Sequence, residues 1–206
     1  MEDTDVLLET ERLALRRFTR GDADDLFELD GDPLVMRFLN GGKPTPREIV
    51  DAEVLPRFMG FDRRLPGFGF WAAIEKASGD FVGWFSLRPL HESTPVAASL
   101  GFRLRSAFWG QGLATEGAQA IVRVAFTELG VGRVIATTYE ANLASRRVLE
   151  KIGMSLVRRY RMTAEDLRGI DTFHVDSYEL WDGDDLEYSL RRDEWAALRH
   201  PEDRAT

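Results

Sequence analysis

The chain has no cysteine among its 206 residues. That excludes a disulfide framework, a thiolate nucleophile and a zinc–thiolate site. Histidine is nearly as scarce: His91, His174 and His200 lie far apart and show no ligand spacing, so no metal is expected. No run approaches the roughly 18 apolar residues a membrane span needs. The opening Met1-Glu2-Asp3-Thr4-Asp5 is acidic and is followed only by Val6-Leu7-Leu8, so no signal peptide is read. Positive charge is in deficit, with 27 Lys and Arg against 35 Asp and Glu. This argues against nucleic acid and anionic membrane as partners. The expectation is a soluble cytoplasmic protein with one well-buried domain over residues 1–206.

The charge is unevenly spread. From Leu100 to Arg147 there are six arginines and three glutamates, a net +3, so the remainder of the −8 chain carries −11. Two acidic blocks supply most of that: Glu2 to Asp32 has eleven acids and four arginines, and Glu165 to Glu187 has nine acids and one arginine. The pattern fits an anionic ligand at the basic segment and a cationic one elsewhere, or simply a solvated surface.

What is present centres on Phe108-Trp109-Gly110-Gln111-Gly112-Leu113-Ala114-Thr115-Glu116. Ahead of it, Ala97 to Leu104 reads as a strand with Leu100, Phe102 and Leu104 on one face. Behind it, Leu113, Gly117, Ile121 and Ala125 recur at helical spacing, with Glu116, Gln119, Arg123 and Thr127 opposite. Gly130 suits a C-terminal cap. Strand, glycine-bearing turn and helix together leave the first helix amides unpaired at the positive end of the helix dipole, an arrangement that binds phosphates. Two glycines there are equally compatible with a plain tight turn. No lysine follows them, so this is not a P-loop, and a Rossmann fingerprint would want Gly or Ala at Thr115.

Elsewhere, Glu11 to Arg16 reads as a first strand, and Thr19 with Asp22 as a capping box for a helix through Leu29. Pro33 to Leu39 is helix or loop. A second helix runs from Thr45-Pro46 toward Phe58, with Pro56 expected to kink or end it. Phe68–Glu75 and Phe81–Leu87 form a hairpin across Lys76-Ala77-Ser78-Gly79-Asp80. Arg133–Thr138 is a strand, and Asn142 caps a helix closed by Gly153. Met154–Met162 and Asp185–Leu190 are the last strands. Thr163 to Asp184 is a long acidic connection expected to fold over a site or a partner. The order is mixed α/β, mainly antiparallel in its first half with one β-α-β crossover.

The turn Trp109 to Glu116 and the stretch Asn142-Leu143-Ala144-Ser145-Arg146-Arg147-Val148-Leu149-Glu150-Lys151-Ile152-Gly153 together resemble the GNAT superfamily of acyl-CoA-dependent N-acyltransferases. The likeness is greatest to the branch of RimJ and RimL, ribosomal-protein N-terminal acetyltransferases. It runs from Leu8-Glu9-Thr10-Glu11-Arg12-Leu13 to the last strand. It implies a central mixed, mostly antiparallel sheet of about seven strands flanked by about four helices and splayed where acyl-CoA binds. It also implies acetyl-CoA as acyl donor, an amine acceptor, and homodimers as a common assembly.

Site residues follow from the same resemblance. The pyrophosphate loop falls on Trp109, Gly110, Gln111, Gly112, Leu113, Ala114 and Thr115, with Trp109 standing where the wider family has Arg or Gln. Phe102, Arg103 and Leu104 match the strand whose backbone pairs with the pantetheine arm, and Asn142 the residue that bonds it near the thioester. Arg147 is either a phosphate contact or an exposed helix arginine. Many relatives carry a tyrosine acid where this chain has Leu149. Ser145 is the remaining hydroxyl on that face and is the candidate catalytic acid and a coenzyme contact at the sulfur, or else a helix-capping or packing serine.

The implied chemistry is direct attack of a neutral amine on the thioester. No base stands out: Glu140, Glu92, His91 and His174 are all open. A free α-amine, with a pKa near 7.7–8.0, is roughly a tenth neutral at pH 7. A lysine near 10.4 is neutral about once in two thousand, a deficit of about 4–5 kcal/mol. An α-amine or another amine of low pKa is thus the easier target, and the acidic blocks favour a cationic one. Two rival readings are a non-catalytic acyl-CoA-binding regulatory module and a transferase using another donor such as succinyl-CoA.

Overall fold

The computed structural model describes residues 6–61, 65–91, 96–163 and 182–199. Glu92, His174 and nearly all of the acidic 163–184 connection lie outside that set. Eight strands form one sheet in the order β1-β2-β3-β4-β5-β6-β8-β7. They are β1 (Val6–Glu9), β2 (Leu13–Arg17), β3 (Gly69–Glu75), β4 (Phe81–Pro89), β5 (Ala97–Leu104), β6 (Arg133–Tyr139), β7 (Ser155–Tyr160) and β8 (Asp185–Arg191). Only β5 and β6 run parallel, joined by the crossover helix α5 (Leu113–Thr127). Every other neighbouring pair is antiparallel.

Helices cover both faces. On one lie α5 and α6 (Leu143–Lys151), over a core that includes Phe85, Leu100, Leu104, Leu113, Ile121, Val134, Leu149 and Tyr188. On the other lie α1 (Ala23–Gly31), α2 (Pro33–Asn40), α3 (Arg47–Ile49) and α4 (Leu55–Phe61). Their core joins Leu26, Leu29, Val50 and Phe58 to Phe70, Ala72 and Trp84 of β3 and β4. Phe58 stacks on Phe70 at 4.2 Å between centroids, with Trp84 edge-on at 5.6 Å, the offset arrangements aromatic quadrupoles prefer. Alternation along each strand separates the two cores: Phe85 and Leu87 face α5, while Trp84 faces α1–α4.

The expected hairpin, the Thr19–Asp22 capping box and the Asn142 cap are all present. Three details differ from expectation. A further strand, β1, precedes the expected one, β2, and Thr10 turns the chain between them: its amide and hydroxyl both engage Leu13. Pro56 does not end its helix. A π-helical stretch, Val50–Val54, precedes it, with the Leu55 amide bonded five residues back to Val50. The ordinary i→i−4 ladder is thus already interrupted where proline lacks its donor. Finally β8 leads straight into a further helix, α7 (Arg192–Arg199). Trp195 docks it on Phe126, and Leu198 occupies the space a Cβ on Gly153 would need.

Gly117 lets α5 lie close against the sheet, since a Cβ there would come within 2.2 Å of the buried Phe85 ring. Gly117→Ala should destabilise the protein by about 1–3 kcal/mol through overpacking, measured as a lower denaturant midpoint at unchanged m-value.

Candidate active site

The parallel β5–β6 ladder pairs only Ala97, Ala98 and Ser99 with Arg133, Val134 and Ile135. Beyond Ser99 the strands part, and Leu100 to Leu104 remain paired only on the β4 side. That leaves a crevice with an unladdered backbone edge along Phe102, Arg103 and Leu104. After Leu104 a 3-10 turn (Ser106–Phe108) delivers the chain to the glycine turn.

Gly110 and Gly112 sit at φ 76° and 83°, the left-handed region that costs L-residues strain and glycine little. Among the described residues, no backbone N–H from Gly110 to Thr115 donates to a protein acceptor. The first that does is Glu116, to the Gly112 carbonyl at 3.0 Å. Six consecutive donors therefore lie at the positive end of the 15-residue α5, an arrangement suited to an anion in both hydrogen-bonding and dipole terms.

The turn is held from behind. Arg12, just ahead of β2, donates through Nη1 to the Gln111 carbonyl at 2.8 Å and through Nε to Glu116 Oε2 at 2.7 Å. Glu116 Oε1 accepts the Arg12 amide at 2.8 Å and the Thr10 hydroxyl at 2.6 Å. A trans peptide points its N–H opposite its carbonyl, so fixing the Gln111 carbonyl toward Arg12 turns the Gly112 N–H outward. Burial pushes the Glu116 carboxyl up, but the bonds from Thr10 and Arg12 outweigh it, and its pKa ends below the ordinary 4.5. The folded state thus favours the ionised form. This support is complete above pH 4.5 and is lost as pH falls through the lower folded value.

The other expected residues fall around the crevice. Trp109 is 48% exposed, with its indole N–H donating to the Leu104 carbonyl at 2.8 Å. Leu113 is buried and Ala114 packs on the core, anchoring the first turn of α5. Phe102 packs on that same side, whereas Arg103 points to the opposite face and pairs with Asp30 at 2.5 Å. Asn142 caps α6, its Oδ1 accepting the Ser145 amide at 3.2 Å, so its amide hydrogens remain as donors. Ser145 is half-buried in the first turn, and its hydroxyl makes no hydrogen bond among the described residues. Arg147 is exposed. Leu149 is 1% exposed in the core.

Of the four candidate bases, two are described. Glu140 is occupied, accepting Arg159 at 2.6 Å and the Asp184 amide at 3.2 Å, and His91 is exposed just past β4. Many acids of the first block are likewise engaged: Asp22 with Arg16, Asp25 and Glu28 with Arg105, and Asp30 with Arg103. Sequence reading missed the Thr10–Arg12–Glu116 clamp. Its partners lie more than a hundred residues apart, beyond any periodicity or spacing rule.

Residues 12–155 match the family model described as an acetyltransferase (GNAT) domain. The chain is 33% identical over 201 residues to FsC-acetyl coenzyme A-N(2)-transacetylase of Aspergillus fumigatus, covering 94% of this chain and 80% of that protein. Its fold matches the GNAT-family acetyltransferase of Bacillus anthracis at a TM-score of 0.72, 22% identity, with 90% and 98% of the two chains covered. It also matches RimL, a ribosomal L7/L12 α-N-protein acetyltransferase solved with coenzyme A, at 0.69 and 16% identity, covering 92% and 99%. A strand–turn–helix anion site beside parted parallel strands, together with these matches, places the chain in the GNAT family. It is an N-acetyltransferase.

Arg12→Ala should weaken coenzyme A binding roughly tenfold or more, since it removes charge-assisted bonds and leaves Glu116 uncompensated beside the anion site. Adding Glu116→Ala should recover part of that loss. Calorimetry on the single and double variants measures both.

Proposed function

We propose that this protein transfers the acetyl group of acetyl-CoA to a primary amine by direct attack. The observation that carries the proposal is the row of six unbonded amides from Gly110 to Thr115 beside the parted β5 and β6. The coenzyme pyrophosphate sits on those amides, with Arg147 available to a phosphate. Its pantetheine arm lies along Phe102 to Leu104, and Asn142 donates to it near the thioester. A β5 backbone amide polarises the thioester carbonyl, the kind of fixed donor that is most effective in a water-poor site.

The chemistry then follows. The neutral nitrogen attacks the carbonyl carbon, the C–N bond forms and the C–S bond breaks. The leaving thiolate takes the Ser145 hydroxyl proton, and the nitrogen gives up its own. Ser145 suits this role because its hydroxyl is uncommitted and sits at the positive end of α6, where developing negative charge on sulfur is favoured. Leu149 supplies no hydroxyl, so no second acid competes.

For the acceptor, an amine of low pKa such as a peptide α-amine fits best, because no base has to overcome a lysine-sized protonation deficit. The similarity to an N(2)-transacetylase and the fold likeness to an α-N-protein acetyltransferase support a RimJ/RimL-like reading. Many of the acids near α1 are neutralised by arginines. Asp25 and Glu28 share Arg105, however, and among the described residues the Asp32 carboxylate bonds only Ser106 and the Leu34 amide. The side of the sheet under α1–α4, taken as the acceptor side because the coenzyme arm is assigned to the α5 side, therefore keeps some negative charge, and a cationic amine is favoured there.

Thioester consumption with acetyl-CoA and an amine panel tests the reading. Turnover should be faster on peptide N-termini than on matched lysine side chains, with acceptor KM rising with salt. Ser145→Ala should lower kcat by about 10²-fold while leaving acetyl-CoA affinity unchanged. Coenzyme binding without any thioester consumption would leave a binding module instead.

A further inference from the structure

The crevice connects the two faces of the sheet, and alternation decides which residues line each. On β8, Leu186, Tyr188 and Leu190 are at most 1% exposed and join the core under α5 and α6. Asp185 and Glu187 therefore point to the other face, where α1–α4 pack. The same rule sends Thr137 and Tyr139 of β6 and Arg103 of β5 to that face. The Tyr139–Asp185 pair closes the β6–β8 ladder at the end where β6 has parted from β5, so Asp185 stands one strand behind the open edge of the crevice.

Asp185 pairs in register with Tyr139. The adjacent Glu140 amide bonds the Asp184 carbonyl at 3.0 Å. Tyr139 and Asp185 are thus a non-hydrogen-bonded pair, the closer kind, with Cα atoms about 4.5 Å apart. The Tyr139 carbonyl accepts the Asn142 amide at 2.9 Å, which links Asp185 by one residue to the side chain that steers the thioester.

We propose that Asp185 is the catalytic proton acceptor that neutralises the acceptor ammonium before attack. The assignment rests on the transferase reading above. Neighbouring charges are already committed: Arg103 to Asp30, and Arg159 to Glu140 and Asp184. Glu187 stands two positions along, in register with Arg158, and Tyr160 of β7 lies opposite Asp185. Asp185 itself is 6% exposed and forms no ion pair among the described residues. Burial raises its pKa from the ordinary 3.8 to about 6, opposed by the Met162 amide and helped by Asp184. A carboxylate so placed is ionised at neutral pH and closer to an α-amine in basicity than an ordinary aspartate.

The protons balance. Asp185 takes one from the ammonium and later releases it to solvent. The second leaves the nitrogen after C–N bond formation and replaces the one Ser145 gives the thiolate. The group also works against folding. Its folded pKa exceeds its unfolded value, so stability falls as pH rises from about 4 to 6, and the cost persists at neutral pH. A purely structural aspartate would have the opposite sign.

The test is the rate of acetyl transfer from acetyl-CoA to a basic peptide with a free α-amine, from pH 5 to 10, for wild type and Asp185→Asn. Acetyl-CoA affinity and Tm are measured alongside. Asp185→Asn should lose about tenfold in kcat/KM at pH 7, the deficit left when only the roughly one-tenth neutral fraction of an α-amine can attack. The gap should narrow toward pH 10, where the amine is neutral unaided. Acetyl-CoA affinity should be unchanged and Tm equal or higher, and Asp185→Glu should restore part of the rate. The assignment is overturned by a variant that is unfolded or less stable, by wild-type rates at pH 7, or by a deficit that is the same at pH 7 and 10. Wild-type protein that binds acetyl-CoA yet acetylates no amine overturns the transferase reading instead.

Discussion

One carbonyl orientation governs the site. Arg12 holds the Gln111 carbonyl inward, and peptide planarity then turns the following N–H outward, into the row that opens α5. The two left-handed glycines make that turn conformationally accessible, but they do not select it. Selection comes from the β1–β2 turn, where Thr10 and Arg12 converge on Glu116 and tie the N-terminal hairpin to the crossover helix. The sheet order keeps these segments apart, since β2 is three strands removed from β5. The clamp is therefore a tertiary contact across the face of the sheet, and the anion site exists only once both halves have folded.

The crevice has a similar economy of cause. A parallel pair that stops after three residues leaves a strand edge unpaired in the middle of an otherwise continuous sheet. An exposed edge is ordinarily a liability. Here it lies inside the fold, beside the anion site, where an extended arm with amide groups could satisfy it. The residues that flank the gap divide by face. Leu100, Phe102 and Leu104 of β5 and Val134 and Ala136 of β6 turn to α5 and α6, while Arg103, Ile135, Thr137 and Tyr139 turn the other way.

What could be read from the sequence was whatever rests on local periodicity or a backbone requirement. The strand–turn–helix around Gly110 and Gly112, the β3–β4 hairpin and the Asn142 cap are of this kind. The parting of β5 and β6 came only by resemblance, because nothing local marks where a ladder ends. Strand β1 was missed because it is four residues long and largely exposed, with no clean alternation to mark it. Pro56 misled because a π-helical turn had already broken the ladder ahead of it. Helix α7 has no fully buried residue and rests on two apolar contacts, Trp195 on Phe126 and Leu198 at Gly153, so its apolar stripe is thin. Glu116 read as ordinary solvated surface, since its partners are remote in sequence. Asp185 was one acid among nine in its block, and only its burial and its register with Tyr139 in the folded sheet distinguish it.

The account stands on the amides from Gly110 to Thr115 gripping the coenzyme pyrophosphate. Following those six backbone N–H resonances while coenzyme A is added tests this directly. They should shift together and become protected from exchange at saturation, with Arg12→Ala weakening all six in concert. Coenzyme A that binds while these amides stay unshifted and unprotected would contradict the account.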